Sequence, residues 1–107
     1  MPGPGSEAEA RRWVRQAIVE GRYVPSVHFK TRCVQRKVGM LDVHRAIGRS
    51  RSISPYPSMP KNGGTCWTFW GSNVDGTMTI GVGLEAFTSN DESEWVILCT
   101  VLPPEEK

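Results

Sequence analysis

His28, Arg32 and Arg36, spaced four residues apart, are the residues of this chain best equipped for chemistry. On a helix, at about 100° per residue, they fall in one row roughly a turn apart, so an imidazole and two guanidinium groups converge on a single anion. Histidine ordinarily titrates near neutral pH and carries protons, while arginine stays charged and holds two phosphate oxygens at once. RNA brings its own nucleophile, the ribose 2′-hydroxyl. An enzyme that cleaves it must add only a base near that oxygen and positive charge beside the phosphorane, with no metal. The same row also reads as a solvated helix face with a surface histidine. Lys30 on this helix, and Arg49, Arg51 and Tyr56 beyond it, would add charge and a stacking ring for RNA.

The helix that carries the row has a second row, Val27, Thr31, Val34 and Val38, about 130° away, which is its expected buried face. Ser26 caps its start and Gly39 marks its end. Ahead of it, Ser6 and Glu9 make a capping box. Ala10, Trp13, Val14, Ala17 and Ile18 then recur with helical period, which predicts a helix from Glu7 to Glu20 closed by Gly21. A third short helix is expected from Met40 to Ile47, with Met40, Val43 and Ile47 on one face. His44 lies on it, either as a second catalytic histidine or as an exposed surface residue.

From Gly48 to Gly64 the chain is rich in Pro, Ser and Gly and reads as one long loop, either a lid over the site or a bare connector. Strands follow. Cys66 to Trp70 is aromatic and bounded by glycines, and Asn73-Val74-Asp75-Gly76 supplies a turn. Next, Met78, Ile80, Val82, Leu84 and Ala86 alternate onto one face and leave Thr79, Gly81 and Gly83 on a bare one. Trp95 to Leu102 is a continuous apolar run, expected as a central strand covered on both faces.

At 107 residues the chain has room for one domain, expected over residues 7–102, with loose tails at 1–6 and 103–107. Residues 1–61 carry a net charge of +8 and residues 62–107 one of −6. That division suits a basic face turned to a polyanion and equally suits two halves that attract each other. No apolar run approaches a membrane span and the first residues have no signal-peptide core, so the expected location is the cytoplasm, away from membranes. Cys33, Cys66 and Cys99 are far apart, odd in number and without a Cys-x-x-Cys pair, which points to reduced thiols and to no metal site.

The pattern His28-x-x-x-Arg32-x-x-x-Arg36, with Gly39, Asp42-Val43 and Ala46-Ile47, resembles a family of small, mostly bacterial domains of unknown function. The likeness continues through Gly63-Gly64, Asp75-Gly76 and Ile97-Leu98-Cys99-Thr100-Val101, and so covers roughly residues 10–102. That family is similar to the RelE-like and MqsR-like messenger-RNA interferases. The resemblance implies His28 and Arg32 as leading catalytic residues, Arg36 as their support and Thr100 as a hydroxyl that orients the phosphate. It also implies an antitoxin or other protein partner, and no cofactor.

The expected fold is therefore α+β, with two to three N-terminal helices followed by an antiparallel sheet of three or more strands, as in RelE-like toxin ribonucleases. Trp13, Val14, Ile18, Val34 and Ile47 should cover the apolar side of the sheet. The expected function is a metal-independent endoribonuclease toxin. The competing class is a non-catalytic protein-interaction or RNA-binding module on the same scaffold.

Overall fold

Alternation along β4 (Thr79–Thr88) divides the molecule into two faces. Ile80, Val82, Leu84 and Ala86 point to one side and are buried, with Trp67 and Phe69 of β3 (Thr65–Ser72) and Val96, Leu98 and Val101 of β5 (Glu94–Leu102). The computed structural model describes residues 3–103. Within them α1 (Glu7–Glu20) and α3 (Met40–Gly48) pack on that apolar face. Trp13, Val14 and Ala17 of α1 and Val43, Ala46 and Ile47 of α3 complete the core. Gly71 lets α3 lie directly on β3, since a Cβ there would come within 2.4 Å of the Ala46 carbonyl oxygen.

The architecture is α+β with a five-stranded, mostly antiparallel sheet in the order β1-β5-β4-β3-β2. Two strands were not expected. β1 (Tyr23–Pro25) pairs parallel with β5, so the sheet is not wholly antiparallel. Three residues ending in proline carry too little alternation to announce a strand. β2 (Ser52–Pro55) pairs antiparallel with β3 inside the stretch read as one loop, where only Ile53 is buried. The caps of α1 fall as expected, with the Ser6 side chain accepting the Glu9 N–H and Gly21 closing the helix at φ 76°, whereas the next helix ends at Arg36 with Lys37 left-handed at φ 55°, and Gly39 instead caps the start of α3.

The buried side of α2 (Val27–Arg36) is not the expected valine row. Val27 and Val34 are 81% and 80% exposed, whereas Phe29 is fully buried and Cys33 packs beside it. Val34 therefore covers none of the sheet, and of the valine row only Val38, beyond the helix end, is buried. One phenyl ring buries more apolar area than a valine, and polar anchors hold the helix in the rotation that favours it. The Ser26 N–H and hydroxyl donate to the carbonyls of Leu98 and Cys99 at 2.9 and 3.3 Å. Arg36 Nε donates to the Val101 carbonyl at 3.1 Å. Where β1 stops, α2 thus takes over the β5 edge.

Gly3 and Pro4, in the segment expected as a loose tail, are buried, and the Thr65 hydroxyl donates to the Pro4 carbonyl at 2.7 Å. Of the two expected tails, residues 1–2 and 104–107 lie outside the described residues, while Gly5, Ser6 and Pro103 are exposed.

Because Phe29 and not the valine row anchors α2, Phe29→Ala should cost about 3–5 kcal/mol of unfolding free energy. Val34→Ala should stay within about 0.5 kcal/mol. Urea titration of the two variants checks the difference, and a larger loss for Val34→Ala would return the helix to the expected rotation.

Candidate functional site

On the face of the sheet away from α1 and α3 lies a cleft of about 510 Å³. α2 forms one wall with Ser26 and His28, the segment after β2 forms the other with Tyr56 and Lys61, and Glu85, Cys99 and Thr100 lie among its lining residues. The glycines of the bare face keep this space. At Gly83 a Cβ would come within 2.9 Å of the Thr100 methyl and 3.7 Å of the Tyr56 ring. The register of β4 against β5 shifts between Gly83 and Leu84, which sets Thr100 opposite Gly83.

The far wall is held by Glu85, a buried carboxylate in the middle of β4. It accepts the backbone N–H groups of Lys61 at 3.1 Å, Asn62 at 3.0 Å and Gly64 at 2.9 Å, and the Asn62 side-chain amide at 3.1 Å. With both oxygens occupied by donors, Glu85 acts as an anchor for the segment that carries Lys61 rather than as a base. Lys61 is exposed at the cleft rim, and its charge slightly offsets the rise of the Cys99 thiol.

His28 is exposed at the cleft wall, and Arg32 Nε donates to its Nε2 at 3.4 Å while Arg32 Nη1 donates to Gln35 at 3.2 Å. In this pair the imidazole Nε2 is the acceptor. Of the expected catalytic residues, His28 and Thr100 line the cleft, Arg32 touches it through His28, and Arg36 is engaged by the β5 edge. Of the expected RNA-binding residues, Tyr56 lines it. Lys30 is exposed on α2 outside the lining, and Arg49 and Arg51 line a different cleft. The stretch read as one loop therefore serves both ends of the molecule. His44 is no second catalytic histidine in this cleft: its Nε2 lies 3.2 Å from the Tyr23 hydroxyl, and the two rings meet edge to face at 5.6 Å.

Glu85 was not singled out in the sequence. A charged residue inside an otherwise apolar and glycine strand was the available signal for Glu85.

The two cysteines of the cleft are not poised as nucleophiles. Burial, then the Glu85 charge and then Cys99 push the Cys66 thiol up to about 11, and burial followed by Glu85 raises Cys99. They stand on β3 and β5 with β4 between them, roughly 10 Å apart by strand spacing, too far for a disulfide. Among the described residues no group of three or more His, Cys, Asp or Glu is placed to hold a metal ion.

An unfolded thiol ionises near 9, whereas Cys66 in the fold holds its proton to about 11. The unfolded chain therefore binds fewer protons in that window, and stability should fall as pH rises through it. Cys66→Ser should remove that part of the alkaline loss in melts taken at stepped pH. An unchanged alkaline slope in the serine variant would contradict the environment described for this thiol.

No model of a known protein family matches the chain. Neither the curated proteins nor the solved structures give a significant match.

Proposed function

We propose that this cleft binds single-stranded RNA and cleaves it as a metal-independent endoribonuclease of the toxin type. The observation that supports this most is the meeting of His28 and its partner Arg32 with Tyr56, Lys61 and Thr100 around one cleft. These residues come from a helix, a loop segment and the last strand, so chain proximity does not explain their meeting. Each has a use in this chemistry.

Tyr56 offers a ring on which a base stacks. The scissile phosphate enters between Arg32 and Lys61 and draws the Arg32 guanidinium from the His28 ring onto its own oxygens, which frees Nε2. His28 Nε2 then takes the 2′-hydroxyl proton as that oxygen attacks phosphorus. The P–O5′ bond breaks, the 5′-oxygen leaves with the bonding electron pair and takes a proton from water, the imidazolium returns its proton to solvent, and the product ends in a 2′,3′-cyclic phosphate. Positive charge from Arg32 and Lys61 stabilises the phosphorane, and the Thr100 hydroxyl orients a non-bridging oxygen. Arg36 contributes through the pose of α2. An antitoxin-like protein partner is part of this reading, since such a toxin must be restrained in its own cell.

His28→Ala should lose about 10²- to 10⁴-fold in cleavage of an oligouridine and still bind it, because only the base is removed. Arg32→Ala should lose both cleavage and affinity, and its binding should depend less steeply on salt. EDTA should have no effect. Binding without cleavage by the wild-type chain would instead favour the non-catalytic RNA-binding module, and full cleavage by His28→Ala would remove this mechanism.

A further inference from the structure

At the far end of β3, roughly 20 Å along the strand from Cys66, the last turn of α3 meets the β3–β4 turn and forms a second cleft, of about 350 Å³. Arg45, Arg49 and Arg51 line it, facing Asn73, Val74 and Asp75. Four other basic residues are already committed. Arg11 donates to the Ser50 carbonyl and hydroxyl, Arg15 to the Ile47 carbonyl, Arg12 to Glu94 and Arg22 to the Glu94 carbonyl. By contrast, the side chains of Arg45, Arg49 and Arg51 are exposed and make no hydrogen bond or ion pair among the described residues. With Asp75 counted against them, the cleft keeps a net charge of +2.

The platform under these arginines is rigid. Asp42 accepts the Gly39 N–H at 2.9 Å and the Val74 N–H at 2.9 Å, which ties the start of α3 to the turn. The Asn73 side chain closes the turn by accepting the N–H groups of Thr77 and Met78. An adjoining cleft shares Arg45, Arg49 and Val74 and adds Leu41. Leu41 is 75% exposed and Val74 46%. Arginines beside exposed aliphatic side chains, on a preorganised surface, are the composition of a protein interface.

We infer that this corner docks an acidic segment of a partner protein, with Asp or Glu side chains on Arg45, Arg49 and Arg51 and an apolar side chain on Leu41 and Val74. The inference does not rest on the ribonuclease reading. RNA fits the corner poorly: the one ring among the residues that line the two clefts, His44, is already engaged edge-on by Tyr23, and phosphates give Leu41 and Val74 nothing to contact. The corner also lies at the opposite end of the sheet from the His28 cleft. Arg–carboxylate pairs set against apolar anchors satisfy both halves of the surface at once.

Selection of a random displayed-peptide library on the immobilised full chain tests this, with the Arg45→Ala/Arg49→Ala/Arg51→Ala variant as counter-target. Peptides with two or more acids beside an apolar residue should be enriched. They should bind wild type about tenfold or more tightly than the triple variant, and Leu41→Ser should weaken them by roughly threefold or more. Because all these side chains are exposed, the variants should melt as wild type does. Enrichment of no acidic peptide, or equal affinity for the triple variant, would overturn the inference. Two further results would also overturn it: undiminished binding to Leu41→Ser, which marks simple ion exchange, or an oligouridine that loses the same factor as the peptides, which marks a nucleic-acid surface.

Discussion

The seam between α2 and the edge of β5 is the interaction on which the arrangement of this molecule depends. β1 pairs with only three residues of β5, and beyond them an unpaired strand edge would be left to water or to another chain. Ser26 and Arg36 meet the carbonyls of Leu98, Cys99 and Val101, and Phe29 fills the space beneath. Anchored at both ends, the helix has one rotation, and that rotation turns His28 toward the open face of the sheet. Cleft geometry thus follows from strand-edge management.

Much of the helical half was legible because its signals are local. The capping box at Ser6 and Glu9, the periodic apolar row through Ala17 and the left-handed Gly21 all act within α1 itself. β4 was equally plain, since strict alternation is a property of the strand and needs no partner to be seen. The rotation of α2 was not. Two apolar sets compete on that helix, Val27/Thr31/Val34 and Phe29/Cys33, and the choice is made by carbonyls of a strand some 70 residues later in the chain. β1 and β2 escaped for the same reason, being short segments that take strand form by pairing with β5 and β3.

The candidate site was legible in part. His28 and Thr100 do share a cleft, but Arg36 serves the edge, and Arg49 and Arg51 stand at the other end of the sheet. Charge partition between the halves has a divided explanation too. Arg12 pairs with Glu94 at 3.1 Å, a surface contact worth about 1 kcal/mol or less, and Glu85 is spent on backbone donors. Of the positive charge left free, Lys61 and Arg32 stand at the His28 cleft and Arg45, Arg49 and Arg51 at the far corner, with Lys30 and Lys37 exposed along α2 and just past its end. Two anionic partners of different kind, an RNA and an acidic protein segment, would account for both.

In the proposed function, the pose of α2 makes His28 one wall of an RNA cleft. The most direct measurement is the amide and imidazole NMR spectrum of the isotopically labelled full chain, titrated with an oligouridine made uncleavable by 2′-deoxy substitution. An RNA cleft there predicts perturbations at His28, Tyr56, Lys61 and Thr100, with Val27 and Val34 silent. Perturbations confined to the Val27 and Val34 surface or to the corner of Arg45 and Arg49, with the His28 ring unmoved, would contradict it.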